Sequence, residues 1–164
     1  MKSLQIIKNK IVEQQQLALI IARWSFLGEK IVFTNGCFDI VHQGHIDYLS
    51  KAADLGTKLV VGVNTDNSVR RLGKAENRPL QDEESRKILL SALHFVDLVV
   101  LFDEDTPLEL IKSIEPDVLV KGSDYSIENI VGHELVLGNG GEVKTIDFLE
   151  GFSTSKIVEK AQLK

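Results

Sequence analysis

Thr34-Asn35-Gly36-Cys37-Phe38-Asp39-Ile40-Val41-His42-Gln43-Gly44-His45 lies between an apolar run, Ile31-Val32-Phe33, and a helical pattern that opens with Ile46-Asp47-Tyr48-Leu49. The order is strand, glycine turn, histidine pair, helix. Such a turn points backbone N–H groups outward, and the helix N-terminus behind it carries partial positive charge, so the stretch suits a phosphate. Gly36 and Gly44 permit conformations or close approaches that a Cβ would hinder. With His42 in the turn and His45 in the first helical turn, both imidazoles are expected to face one pocket. Neutral or protonated, each can donate a hydrogen bond to a phosphoryl oxygen. A bare His-x-x-His more often marks two surface histidines. The strand before it and the helix after it favour the site.

Outward from this stretch, strands and helices alternate. Residues 3–27 carry apolar positions at helical spacing, Leu4, Ile7, Ile11, Leu17 and Ile20, with Gly28 as the stop. This predicts a one-helix extension over 1–28 ahead of a domain at 29–164. Trp24 and Phe26 on it either pack outside the sheet or form a self-association surface, giving a homo-oligomer. Strands are predicted at Lys30–Asn35, Lys58–Asn64, Leu98–Phe102, Val118–Val120 and Val143–Ile146. Helices are predicted at Asp47–Leu55, Asp66–Leu72, Asp82–Phe95, Thr106–Ile114, Ile130–Leu137 and Lys156–Gln162. The run Leu59-Val60-Val61-Gly62-Val63 is continuously apolar, as in a strand buried on both faces. The alternation implies an α/β fold with a doubly wound parallel sheet of about five strands and right-handed crossovers. Ligands in such sheets bind beyond the carboxyl ends of the strands.

Two further motifs fall at that end. Lys121-Gly122-Ser123-Asp124-Tyr125 closes a strand: Lys121 can clamp a phosphate, Asp124 can accept from a sugar or base, and Tyr125 packs either against a base or, the preferred reading, in the core. Ser153-Thr154-Ser155 opens the last helix, either as a plain cap or as hydroxyl donors to the same anion. Asp39 is expected to cap the turn, orient an imidazole or hold a metal indirectly. Lys74 and Arg78, in a polar loop, are candidates for pyrophosphate or a sugar phosphate.

Composition narrows the classes. The chain has 164 residues, 43% hydrophobic and 26% charged, which fits one soluble domain. A net charge of −5 argues against a nucleic-acid binder. The single cysteine, Cys37, cannot form an intrachain disulfide, and it lies in the glycine turn as a packing or ligand-contacting residue. No signal peptide or membrane span is evident, and a cytoplasmic location is expected. Neither Gly-x-x-x-x-Gly-Lys-Ser/Thr nor Gly-x-Gly-x-x-Gly occurs, so a P-loop kinase and a dinucleotide-dependent dehydrogenase are poor fits. The histidines and the cysteine are not spaced as a zinc site.

The pattern Gly-x-Phe-Asp followed by His42-x-Gly44-His45 resembles the nucleotidyltransferase superfamily of cytidylyltransferases and pantetheine-phosphate adenylyltransferases, with its Rossmann-like fold. From Ile31 to Gln162 the chain is similar to the heptose 1-phosphate adenylyltransferase branch, which makes ADP-heptose from D-glycero-β-D-manno-heptose 1-phosphate and ATP. The similarity includes Glu104-Asp105-Thr106-Pro107, Pro116 through Tyr125, and Asn139-Gly140-Gly141-Glu142-Val143. It implies in-line attack of the sugar phosphate on the α-phosphorus of ATP, without a covalent intermediate, with Mg²⁺ carried on the triphosphate. It implies catalytic roles for His42, His45 and Lys121. It places nucleotide contacts at Thr34, Asn35, Gly36, Cys37, Phe38, Asp39, Gly44, Gly122, Asp124, Ser153, Thr154 and Ser155. Some relatives fuse this domain to a sugar kinase; here only a short extension precedes it, which suggests a stand-alone transferase. Thr57 departs from an Asp common in relatives. Cytidylyltransferases for glycerol 3-phosphate, the competing reading with CTP, usually carry an Arg shortly before the Gly-x-Ser-Thr stretch; Asp147-Phe148-Leu149-Glu150-Gly151 has none. A third reading is a nucleotide-binding module without turnover, against which the intact histidine pair speaks.

Overall fold

The computed structural model describes residues 2–73 and 77–162. In chain order the elements are α1 (Ser3–Lys8), β1 (Ile11–Val12), α2 (Gln14–Phe26), β2 (Ile31–Gly36), α3 (Gln43–Ala53), β3 (Lys58–Asn64), α4 (Asp66–Arg71), α5 (Glu83–Ser91), β4 (Leu98–Phe102), α6 (Leu108–Ile114), β5 (Val118–Gly122), a 3₁₀ turn (Ile127–Asn129), α7 (His133–Gly138), β6 (Glu142–Ile146) and α8 (Thr154–Gln162). The strands form one parallel sheet in the order β1-β4-β3-β2-β5-β6. Strand order reverses at β2, which pairs with β3 on one side and β5 on the other. A crevice opens at that reversal, above the carboxyl ends.

The sheet has six strands where five were expected, and the N-terminal segment accounts for the difference. The helical spacing over 3–27 is real on each side of Ile11-Val12, but those two residues are extended and pair with Val99 and Val100. Two β-branched residues in succession fit a strand edge better than a helix interior. The Val99 amide donates to the Lys10 carbonyl at 2.8 Å, and Lys10 Nζ reaches the Leu93 carbonyl at 2.9 Å. The helix predicted at 130–137 starts only at His133, because Gly132 before it sits at φ +85°. The last helix begins at Thr154 rather than Lys156, since Ser153 Oγ accepts the Lys156 amide at 3.2 Å and caps it.

Both faces of the sheet are covered. Phe33, Val60, Val100 and Leu119 pack with Leu17 and Ile21 of α2 and Leu110, Ile111 and Ile114 of α6. Val32, Val61, Val63 and Val120 pack with Tyr48, Leu49 and Ala52 of α3 and Leu90 of α5. This double burial explains the unbroken apolar run of β3. Two aspartates secure the opposite, amino ends of the strands. Asp117 accepts the Ile31 amide at 2.7 Å, and Asp97 accepts the Leu59 amide at 2.8 Å. Of the two aromatic residues expected on the N-terminal surface, Phe26 is 89% exposed. Trp24 instead packs against the core, with Lys58 Nζ 5.6 Å from its ring centre.

Leu17 is fully buried, so the N-terminal segment is part of the folded unit. Leu17→Ala is expected to cost about 2–5 kcal/mol, the range for a buried leucine. Urea unfolding of the variant beside wild type measures it, and a loss below about 1 kcal/mol would mean that α2 packs only peripherally.

Candidate active site

The helix after the first motif begins at Gln43, four residues earlier than the sequence pattern suggested, so His42 is its cap residue and His45 its third position. The two rings stack, centres 3.9 Å apart at 23°. The His42 amide donates to His45 Nδ1 at 3.4 Å. The ring also interacts with the Ile40 carbonyl, which favours a protonated ring nitrogen. Burial, with the neighbouring His42 as a second cause, lowers the His45 pKa to about 4. Burial lowers that of His42 as well. Gly44 sits tightly: a Cβ there would stand 3.1 Å from the His42 ring and 3.1 Å from Phe152 Cβ, so those groups would have to shift by a few tenths of an ångström.

Two cavities, of about 390 and 540 Å³, meet at this motif and share Cys37, Phe38 and His45 as a common wall. Phe38 holds φ +48°, rare outside glycine, and presents its ring edge-on to His45 at 5.3 Å. The expectation that both imidazoles line one pocket is corrected in detail. His45 faces both cavities, while His42 lines neither and supports His45 by stacking.

The first cavity lies over the ends of β2, β3 and β5. Asn35, Gly36, Lys121, Gly122 and Asp124 line it. Lys121 Nζ donates to the Asn35 carbonyl at 3.3 Å and lies 5.6 Å from the Tyr125 ring centre. Of the two readings of Tyr125 the preferred one, in the core, does not hold: it is 46% exposed and lines this cavity. Gly122 lets the Phe148 ring close over it, since a Cβ would lie 2.1 Å from that ring. Thr34 is fully buried and lines neither cavity; its hydroxyl pairs at 2.8 Å with that of Tyr48, which does line the first. Burial raises the Tyr48 pKa well above the usual phenol range.

The second cavity takes Thr154 and Ser155 from the N-terminus of α8, together with Asn77, Arg78 and Asp39. It is the side with hydroxyls, a guanidinium and a helix N-terminus, the chemistry of a polyphosphate site. Ser153 is the helix cap and faces neither cavity. Asp39, 5% exposed, accepts from Arg78 Nη1 at 2.5 Å and from the amides of Leu80 and Gln81 at 2.7 and 2.9 Å. Its carboxylate therefore anchors the 78–81 loop, and the two residues nominated separately form one ion pair. Lys74 lies outside the described residues.

Several site residues carried no local signal. Asn64 ends β3, one position beyond the Gly36–Val63 pair, and lines the first cavity; its strand-end position was the one available clue. Tyr48 and Phe148 read in sequence as ordinary apolar positions.

Two ligand spaces meeting across one imidazole, with anion donors on one side, suit a nucleotidyltransferase, an enzyme that moves a nucleotidyl group between two phosphates. The chain belongs to the cytidylyltransferase-like family, whose model matches residues 33–160. It is 57% identical over 152 residues to the bifunctional protein HldE of Citrifermentans bemidjiense, covering 93% of this chain and 31% of that protein. With the HldE of Azorhizobium caulinodans it shares 51% identity over 152 residues, 93% of this chain and 32% of that one. The chain thus spans about a third of the length of the curated relatives it matches. Among solved structures, a lipopolysaccharide core biosynthesis protein from Thermoplasma volcanium superposes with a TM-score of 0.60 at 34% identity, covering 74% of this chain and 98% of that one. A pantoate-beta-alanine ligase from Francisella tularensis, at 13% identity and TM-score 0.64, covering 93% of this chain and 77% of that one, shares the fold.

The lowered His45 pKa sets a pH dependence. Its folded value of about 4 lies below the usual 6.5. Between these values the unfolded chain takes up a proton that the folded chain refuses, so stability falls as pH drops through that window and is unaffected above it. In His45→Asn the slope of unfolding free energy against pH from 4.5 to 6.5 is expected to be smaller than in wild type. Equal slopes would show that His45 titrates normally.

Proposed function

We propose that this chain transfers AMP from ATP to heptose 1-phosphate, giving ADP-heptose and pyrophosphate. The observation that carries the reading is the wall shared by two cavities, with His45 facing both. The polyphosphate chemistry of the second cavity supports assigning it the β- and γ-phosphates. The first, with carboxylate, amide and lysine groups, suits the nucleoside and the acceptor sugar phosphate. The HldE relatives at 51–57% identity support the heptose acceptor and ATP over CTP. So do the Asp105-Thr106-Pro107 and Lys121-to-Tyr125 segments, which line the first cavity.

An oxygen of the acceptor phosphate attacks the α-phosphorus as the bond to the β-phosphate bridging oxygen breaks, and pyrophosphate leaves with that electron pair. The attacking oxygen is already ionised at neutral pH, so no general base is needed. His45 fits this requirement: it faces both cavities, and as a proton donor its imidazole can hydrogen-bond to charge developing on the α-phosphate. Lys121 adds a cation at the β5 end, and Thr154 and Ser155 add hydroxyl donors. Magnesium enters as part of the ATP complex. Among the described residues no group of three or more His, Cys, Asp or Glu side chains forms a metal cage, and a cation on triphosphate oxygens needs none. No helix among these residues is long and apolar enough to cross a membrane.

Pyrophosphate release, scored for each nucleoside triphosphate against a panel of sugar phosphates, tests the reading. ATP with heptose 1-phosphate should give the highest kcat/KM, about a hundredfold above CTP if two polar contacts to the base are lost. Equal values, or CTP ahead, would assign the chain to the cytidylyl branch. His45→Ala should lower turnover by about a hundredfold or more, the scale for one lost transition-state donor. His42→Ala should do likewise by releasing the stacked ring. Full turnover in either variant would remove the histidines from the mechanism.

A further inference from the structure

We infer that Arg86, on α5, is a positioning residue for nucleotidyl transfer, holding the shape of the turn that carries Phe38 and His45. The inference rests on the reading of the site given above. Arg86 is fully buried and lines neither cavity. Its guanidinium reaches three separate elements. Nη1 donates to the Cys37 carbonyl at 2.7 Å, Nε to the Gln81 carbonyl at 3.1 Å, and Nη2 to Asp66 Oδ1 at 2.7 Å. These are the phosphate turn, the loop that bears Arg78, and the first turn of α4. Asp39 returns the connection by accepting the amides of Leu80 and Gln81. The turn and the loop are therefore tied in both directions, with Gln81 held through its amide by one residue and through its carbonyl by the other.

The bond to Cys37 has a specific consequence. That carbonyl belongs to the peptide plane between Cys37 and Phe38, so fixing it restricts rotation about the N–Cα bond of Phe38. Phe38 is held at φ +48°, a conformation that costs a non-glycine residue free energy and persists only where the surroundings impose it. The rotation sets where the Phe38 ring meets His45. A buried cation is seldom needed for stability alone, because apolar replacements often serve as well. A planar fork that satisfies two carbonyls and a carboxylate at once is specific to arginine.

The chain supplies its own reporter, because Cys37 is its single cysteine and belongs to the wall of both cavities. Arg86→Lys retains the charge beside Asp66 but cannot reach all three acceptors. In the folded variant, modification of Cys37 by 5,5′-dithiobis(2-nitrobenzoic acid) is expected to run at least fivefold faster than in wild type. The kcat should fall at least tenfold, with a smaller change in KM for ATP. A control separates positioning from general loss of stability: Ile114→Val or Ile114→Ala, whichever melts closer to Arg86→Lys, perturbs the core at the far end of α6. The control should keep wild-type thiol reactivity and kcat. A wild-type thiol rate in Arg86→Lys, or equal acceleration in the control, would overturn the inference. If Arg86→Lys does not melt cooperatively, Asp66→Asn loosens the same guanidinium from its third anchor; faster modification there supports the inference, and an unchanged rate overturns it. The thiol measurement uses no substrate, so it is decided independently of which sugar phosphate is the acceptor.

Discussion

Everything at the site depends on where the parallel sheet changes direction. β2 is laid down before its neighbours, β3 and β4 extend the sheet to one side, and β5 and β6 extend it to the other. Crossover helices cover the two faces but leave the carboxyl end of the central strand open, and the β2 and β5 loops splay apart there. Asn35-Gly36 and Lys121-Gly122, 86 residues apart, face each other for this reason, and the Lys121–Asn35 hydrogen bond spans the gap.

The charged residues divide into those that face ligand space and those that hold it in shape. Asp39 with Arg78, and Asp66 with Arg86, are ion pairs in which at least one partner is almost completely enclosed. Each member also bonds backbone groups or sits where a loop must be fixed, which offsets the cost of removing charge from water. At the other end of the sheet Asp97 and Asp117 do the same for strand amides. These four carboxylates, Asp39, Asp66, Asp97 and Asp117, thus hold backbone or buried cations in place, while Asp124 opens on the first cavity with Lys121.

The architecture and the first motif were legible because both rest on local pattern: strand, glycine turn, histidine pair and helix are contiguous. Lys121 and Thr154-Ser155 were legible once strand ends were known to converge. What escaped the sequence depends on contacts between distant segments. Ile11-Val12 fits a helical period and becomes a strand because β4 has an open edge beside it. Arg86 reads as one charge among several at the start of a helix, and its burial follows from three acceptors on three other elements. For Tyr125 the sequence allowed core or base contact, and the fold turns it toward the cavity. Thr34 and Tyr48, 14 residues apart, form one buried hydroxyl pair that no spacing rule indicates.

The two borders of the sheet carry a consequence of their own. On one side the sheet ends with β1, two residues long, too short to template another strand. On the other it ends with β6, where Glu142 and Lys144 are exposed and paired with each other at 2.9 Å. A short margin and a charged margin both oppose strand addition from a neighbouring molecule. A sheet this rich in valine thus carries its own protection against edge-to-edge growth, and the two-residue strand that the helical pattern concealed supplies half of it.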